Sequence, residues 1–367
     1  MPKSALEVTA ESDPTAWDAA VNSAGGHPLQ LSAWGDVKAM GGNWTANRLR
    51  VTTESGELVG LAQVLTRKLP MPFRGLSYIP RGPVIVEEKA DYGVGDDDET
   101  RGEIVNAITQ WCNANLHGIA VSLEPDWPVG TALPNVNTHA AQNHILWPLT
   151  LIMDLGQEPD ALLAEARKST RYEIRKAERD GLKIIRVTDD ETFRKVMDVF
   201  RATAERAGFP LHDDDYYLAV HHKFGDASRL MAALDADGEP CNFAWAVVSD
   251  RTAFLLYGGS NDAGRELHAT APVYWASMMD ARDLGVTRYD MNGLLNDGIS
   301  TFKRSFAKHE NELVGSIDIP LKPTSYSAWE YGLPHLKTMI HAYHDKAAQH
   351  PFTGGIPIVK PATTSGG

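Results

Sequence analysis

The sequence predicts a mixed α/β protein built from two copies of one fold, and three observations carry that prediction. Its 367 residues suffice for two domains, each with a core of its own. Each half runs from helices into an antiparallel hairpin closed by an acidic, glycine-bearing turn, Glu54-Ser55-Gly56 in one and Asp235-Ala236-Asp237-Gly238 in the other. Each half then continues strand, helix, strand, and the stretch from Thr252 to Phe306 shows this best. There the apolar run Ala253–Tyr257 turns at Gly258-Gly259 into a polar loop. Val273, Ala276, Met279 and Leu284 mark one face of a helix ended by Gly285, and Val286–Met291 reads as the returning strand. Such a β-α-β unit presents its ligands at the carboxyl ends of its strands. Tyr257 before the glycine pair, where backbone could approach a ligand, and Asp290 and Asn292 at a strand end fall there. So does Lys303, flanked by Phe302 and Phe306.

The elements follow in order. A strand spans residues 5–9, and Asp13 caps a helix from Pro14 to Ser23, stopped by Gly25-Gly26. Gln30–Lys38 is a short amphipathic segment with Ser32 as its cap. Trp44–Val51 and Leu58–Thr66 form the first hairpin. Arg74–Ile85 is extended, and its prolines point to an edge or irregular strand. Tyr92–Thr100 reads as a solvated acidic loop, Arg101–Leu116 as a helix and Gly118–Glu124 as a strand. The second half opens with a strand over Leu146–Leu155 and one long helix over Asp160–Asp180, ended by Gly181. A strand over Leu182–Val187, helices over Glu191–Ala207 and Asp213–Phe224, and strands over Arg229–Leu234 and Cys241–Val248 lead into the β-α-β unit. Gly315–Pro320 is a last strand and Tyr326–Ala347 a helix broken at Pro334. His350–Gly367, rich in Pro, Gly, Ser and Thr, reads as a disordered tail.

Composition narrows the function. Asp and Glu number 48 against 35 Lys and Arg, a net charge of −13, so contact with nucleic acid needs a local basic patch and general DNA binding is excluded. That patch is Lys168, Arg171, Arg175 and Arg179, three or four apart on one helix face and suited to tRNA or substrate phosphate. Glu173 and Glu178 are interspersed, so the same face also reads as a solvated, salt-bridged one. Cys112 and Cys241 lie far apart without metal spacing, and no metal is expected; His221-His222 lacks a third ligand and reads as surface or helix-face histidine. No apolar leader or membrane-length run is present, which points to the cytoplasm, with peripheral contact at the inner membrane face still open.

The repeated element order suggests the acetyltransferase-like (GNAT) architecture, and several motifs resemble the FemABX family of peptidoglycan-bridge aminoacyltransferases. They are Gln30-x-x-x-Trp34-Gly35-x-x-Lys38, Arg81-Gly82-Pro83, Lys168-x-x-Arg171-x-x-x-Arg175-x-Ala177-x-x-x-Gly181, Glu205-Arg206-x-Gly208-Phe209, Tyr257-Gly258-Gly259-Ser260, Tyr289-Asp290-x-x-Gly293, Gly298-x-x-x-Phe302-Lys303 and Gly315-Ser316-x-Asp318-x-Pro320. The resemblance implies two GNAT-like domains, the first discontinuous (1–145 plus 316–349, binding the precursor) and the second at 146–315. Without sustained heptads the chain resembles the family's smaller, armless type. It implies transfer of an aminoacyl group from aminoacyl-tRNA, a co-substrate, to the side-chain amine of the stem peptide in UDP-MurNAc-pentapeptide or a lipid-linked precursor, with no cofactor. On this resemblance Lys38 joins the residues that hold the precursor's diphosphate. Trp34, Arg206, Tyr216 and Tyr257 fall in matched motifs or pocket positions, and Glu124 matches an acidic position near the acceptor. His212 stands where the family often has arginine, a weaker and pH-dependent phosphate ligand. Phe302-Lys303 is the strongest catalytic candidate, because a fixed ammonium stabilises the oxyanion or the leaving ribose oxygen of aminoacyl transfer. Glu124, water or the substrate itself would take the amine proton. Two rivals are an acyl-CoA N-acyltransferase, poorly served by the single glycine of Asn261–Glu266, and a non-catalytic tRNA- or precursor-binding protein.

Overall fold

The computed structural model describes residues 5–86, 98–141, 144–295 and 297–330. The first half carries β1 (Leu6–Ala10), α1 (Pro14–Ser23), α2 (Ser32–Ala39), β2 (Trp44–Thr53), β3 (Leu58–Lys68), β4 (Gly75–Pro80), β5 (Val84–Ile85), α3 (Asp98–Asn115), β6 (Ala120–Glu124) and β7 (His139–Ala140). The second carries β8 (Leu149–Thr150), β9 (Ile152–Asp154), α4 (Pro159–Glu165), α5 (Lys168–Asp180), β10 (Ile184–Val187), α6 (Asp190–Ala207), α7 (Asp214–Phe224) and β11 (Ser228–Leu234). It continues with β12 (Pro240–Val248), β13 (Thr252–Ser260), α8 (Asp262–Glu266), α9 (Thr270–Asp283), β14 (Arg288–Asp290), α10 (Gly298–Lys303) and β15 (Asn311–Glu312). β16 (Ile317–Pro320) and α11 (Pro323–Glu330) close the described chain.

Two sheets repeat one plan. The first runs β1-β2-β3-β4-β6-β16-β7 with β5 against β3, and the second runs β10-β11-β12-β13-β14-β9. In each, an antiparallel run gives way to one parallel pair, β4 with β6 and β13 with β14, and an antiparallel strand follows, β16 or β9. Helices α3 and α9 make the crossovers that parallel pairing demands. Caps set several helix bounds as the sequence leads one to expect. Asp13, Asp189 and Asp213 accept hydrogen bonds from the N–H of Thr15 (2.9 Å), Thr192 (2.8 Å) and Tyr216 (2.8 Å). Gly181 ends α5 at φ +73°, in the left-handed region that favours glycine.

Several expectations need correction. The strand containing Gly75–Pro80 is not an edge: it lies between β3 and β6, with Pro80 at its last position, where a missing N–H costs no ladder bond. Leu146–Leu155 holds two short strands that join different sheets. The long helix expected over Asp160–Asp180 breaks at Ala166-Arg167, both extended, because the Arg167 N–H turns away to the carbonyl of Ser305 at 2.7 Å. Residues 98–100 of the expected acidic loop form the first turn of α3. The rest of that loop, the helix beyond Glu330 with its break at Pro334, and the tail at 350–367 lie outside the described residues.

The core also differs from two separate ones. One cluster joins Trp17, Val21, Leu29, Trp34 and Leu65 of the first half to Phe193, Phe200, Tyr216, Trp245 and Phe254 of the second. The opposite faces of the two sheets have their own clusters, around Ile104, Ile108 and Leu123 in one half and around Met153, Val273 and Tyr289 in the other. The halves thus meet through a continuous apolar interior, which makes their relative placement as costly to disturb as any core packing.

Candidate functional site

The site lies at the carboxyl ends of β13 and β14. Their parallel pairing covers only Thr252–Phe254 against Arg288–Asp290, whereas β13 pairs with β12 over Ala253–Ser260, with a bulge at Leu256. The strands therefore part beyond Phe254 and Asp290, leaving a notch at the sheet edge.

Lys303, at the end of α10, reaches the β14 side of this notch. Its Nζ donates to the carbonyls of Asn292 (2.7 Å) and Gly293 (3.0 Å), and the residue is 8% exposed. Two of the ammonium's three N–H groups are thus filled, and the third has no partner among the described residues. Burial pulls its pKa down to about 8, against the opposing pull of Asp290 and Asp297. Asp290, wholly buried, accepts from Thr150 Oγ1 (2.5 Å) and from the Asn292 N–H (2.8 Å) through Oδ1, while Oδ2 has no hydrogen-bond partner. That carboxylate holds Asn292 at φ +58°, a conformation asparagine tolerates, and so aims the two carbonyls at Lys303. Phe302, next to Lys303 in the chain, stands edge-on to Tyr274 (5.0 Å) and Phe306 (5.4 Å).

A second group forms where α2 of one half packs on α7 of the other. Lys38 Nζ sits 4.8 Å over the Trp34 ring and 3.4 Å from the Tyr216 hydroxyl. His212 packs against Tyr216 at 4.2 Å, and the Tyr257 hydroxyl bonds to that of Tyr216. Burial lowers the Lys38 pKa to about 8 and raises Tyr216 and Tyr257, so both phenols stay neutral donors. Burial and the Lys38 charge lower His212, leaving the imidazole neutral near pH 7. Tyr257 follows Phe254 by three residues on β13, about 10 Å along a strand. Trp34, Lys38, His212, Tyr216 and Tyr257 therefore form one cluster, on the β13 side of the same edge as Lys303.

Other expected site residues stand elsewhere. Arg206, in the last turn of α6, donates to the Ser260 carbonyl (2.9 Å) beside an open hollow of about 540 Å³ that Glu205 and Asp262 also line. Glu124 is buried, and its two oxygens accept from Tyr78, the N–H of Ile145 (2.6 Å) and Leu146 (2.8 Å) and Ser316 (2.5 Å). Four protein donors fill its acceptor directions, so the carboxylate acts as a clamp tying β6 to the segments at 145–146 and 316. Lys168 and Arg175 are exposed on α5, but Arg171 turns inward to the Ala164 (3.3 Å) and Ala166 carbonyls at the end of α4. The expected basic face thus loses one of its members. The glycine pair after Tyr257 is part-exposed and has no room for side chains: a Cβ at Gly258 would lie 2.4 Å from the Tyr274 hydroxyl and one at Gly259 2.6 Å from Phe243. His221, expected near the surface, is buried, stacked on Phe193 and paired with Ser228 (2.8 Å).

The segment expected to cradle a coenzyme diphosphate poorly is the helix α8. Asn261 Oδ1 accepts the Gly264 N–H at 3.0 Å, so that donor faces its own cap. Gly264 packs directly on β12, where an added Cβ would lie 2.2 Å from the Cys241 carbonyl oxygen. Gly264→Ala is expected to cost about 3 kcal/mol of stability, seen as a lower thermal midpoint, because backbone rather than a side chain must yield. Sequence reasoning missed the Thr150–Asp290–Asn292 linkage and the Asp126–Arg288 pair, whose partners lie far apart along the chain.

Comparison with known proteins bears on the fold. The model of the acetyltransferase (GNAT) domain matches residues 164–304. The lipid II:glycine glycyltransferase of Staphylococcus aureus is 24% identical over a 399-position alignment, covering 85% of this chain and 92% of that protein. The crystal structure of FemX superposes with a TM-score of 0.76 at 21% identity, covering 88% of this chain and 100% of that one. L-PGS from Bacillus licheniformis shares the fold more loosely, with a TM-score of 0.52 at 12% identity over 86% and 94% of the two chains. The two-copy acetyltransferase-like fold and the likeness to the FemABX proteins, both read from the sequence, are borne out.

Proposed function

We propose that this chain moves an aminoacyl group from aminoacyl-tRNA to the side-chain amine of a peptidoglycan stem peptide, carried on UDP-MurNAc-pentapeptide or a lipid-linked precursor, to build the interpeptide bridge. The observation that carries this is Lys303, a buried ammonium at the sheet edge with one N–H unpartnered among the described residues. The acceptor nitrogen attacks the ester carbonyl, the new C–N bond forms, and the tetrahedral oxyanion collapses as the ribose oxygen leaves with a proton. A preorganised cation lowers the barrier to both charged stages without reorganisation. Because an aminoacyl ester is already activated, positioning and electrostatics suffice, and no cofactor is called for. The amine proton passes to water or a substrate group, since Glu124 is filled by protein donors.

Lys38, with Tyr216 beside it, suits the precursor's diphosphate, which His212 in its neutral form assists as a hydrogen-bond donor. Lys38→Met should raise KM for the precursor about ten- to a hundredfold with kcat little changed, from about 1.5–3 kcal/mol for a charge-assisted hydrogen bond. Steady-state kinetics at varied precursor checks it. Lys168 and Arg175 lie on α5, whose Thr170 hydroxyl bonds to Ser305 (2.8 Å), two residues past Lys303. They suit the tRNA backbone leading its acceptor end to that lysine. The reaction belongs on the cytoplasmic side, where charged tRNA is found.

The test is to incubate the protein with mixed charged tRNAs and UDP-MurNAc-pentapeptide, then weigh the precursor. A gain of one amino-acid residue that RNase abolishes supports the reading and identifies the donor. No gain on either the soluble or the lipid-linked precursor overturns it.

A further inference from the structure

One end of the first sheet combines charge and apolar exposure in a way the catalytic site does not use. The turn from β3 to β4 folds back tightly, with the Leu69 N–H on the Arg74 carbonyl (2.8 Å) and Phe73 N–H on that of Pro70 (3.0 Å). At its tip Met71 is 75% exposed. Arg67, Lys68 and Arg74 surround it, all exposed, and Lys322 joins them because its N–H bonds to the Ile119 carbonyl (3.0 Å) at the same sheet end. None of these four cations makes an ion pair among the described residues; Asp318, four residues before Lys322, is buried and accepts from the Tyr326 hydroxyl (2.8 Å). On a chain of net charge −13 this is a local reversal of sign. Phe73 and Trp329 meet edge-on at 5.2 Å behind the tip, over a small apolar cluster of Leu69, Ile119 and Tyr326.

The same end adjoins the Lys38 cluster. The Lys68 N–H donates to the Asn43 carbonyl (2.9 Å) and its Nζ to that of Gly42 (3.0 Å), pinning the loop that leaves α2. Met40, 51% exposed, stands in that loop two residues after Lys38. Exposed methionines ringed by cations, with an aromatic pair behind them, match an anionic bilayer, whose headgroups take the charges and whose acyl boundary takes the side chains. An RNA surface would satisfy the cations but leave Met71 and Met40 without a partner.

We propose that this end of the first sheet, Met40, Arg67, Lys68, Met71, Arg74 and Lys322, rests on an anionic lipid bilayer and brings the Lys38 cluster down to it. The inference rests on the lipid-linked form of the acceptor: its diphosphate lies at the bilayer surface, so the residue that meets it must reach that surface.

Flotation of the full chain with vesicles tests this without any substrate. Binding is expected to phosphatidylglycerol–phosphatidylcholine vesicles and not to phosphatidylcholine alone, weakening with salt. Met71→Asp should weaken it about tenfold. The pair Lys68→Glu and Arg74→Glu should weaken it at least about 25-fold, at about fivefold per cation. Lys223→Glu, a charge reversal of the same kind on α7, should leave it unchanged. Exposure of the replaced side chains keeps these variants folded, which circular dichroism confirms. Equal binding to both vesicle types, or binding the variants do not change, overturns the proposal. So does loss of tRNA binding in the variants while vesicle binding persists, which assigns the surface to RNA. Vesicle binding decides the surface even if no transfer is found, and transfer to the soluble precursor decides the function even if no vesicle is bound.

Discussion

Lys303→Ala lowers kcat at saturating substrates by about a hundredfold or more, the worth of one preorganised donor to a developing oxyanion, while KM for the precursor changes little. Near wild-type turnover would remove Lys303 from the chemistry. The pH profile adds a readout that a merely structural lysine would not move. Lys303 works as the ammonium, and burial places its pKa at about 8, so activity falls on the alkaline side of that value. Lys303→Arg keeps a charge that does not titrate below about pH 12, so the alkaline limb attributable to this group should vanish while part of the activity survives. Asp290→Asn removes a carboxylate that favours the charged lysine, and should shift the same limb toward lower pH. The charged groups acting on Lys303 are Asp290 from β14 and Asp297 at the cap of α10, and Asp297→Asn should act in the same direction.

Removing the Asp126 carboxylate is expected to destabilise the join between the two halves. Arg288 of β14 grips Asp126, just past β6, through both terminal nitrogens at 2.6 and 3.1 Å, joining the two halves. Asp126→Ala strands a largely buried guanidinium, at about 3–5 kcal/mol for a fully buried pair and about 2–3 kcal/mol here, where the side chains keep some solvent. The thermal midpoint should drop about 3–4 °C. Replacing both partners by apolar residues should recover most of it, which separates the cost of a lone charge from the worth of the pair. Burial raises the Asp126 pKa, yet Arg288, through its charge and hydrogen bond, carries it below the usual carboxylate value. A depressed pKa contributes stability that is complete above the unfolded value, about 3.9, and is lost as pH falls through the folded one. Acid titration of Asp126→Asn should therefore be flatter than wild type below about pH 4.

Much of this was legible in the residues. Apolar alternation and turn chemistry located the hairpins and the β-α-β unit, and the Asp13 cap marked where α1 begins, because these are local physics. The pairing of Phe302 with Lys303 pointed to the right end of β14. What stayed hidden was decided by distant partners. No glycine or proline marks the break before α5; a carbonyl at Ser305 makes it. Glu124 reads as an exposed strand end until Ile145, Leu146 and Ser316 bring their donors to it. Arg171 shares its helix spacing with Lys168 and Arg175 yet faces α4. Trp17, Trp34 and Trp245 announce burial, but nothing in their spacing says that one interior holds all three.

The strand β16 bears on how the molecule comes into being. Ser122 of β6 bonds to Asp318 of β16, 196 positions further along the chain. A ribosome delivers β6 long before β16, and the whole second sheet emerges between them. During synthesis the first sheet must wait with the β16 side of β6 unpaired, while the second, from β9 to β14, is complete. Assembly then proceeds from the middle of the polypeptide outward, and the nascent first sheet is the stage at which a chaperone, or an errant strand from a neighbouring chain, finds its opening.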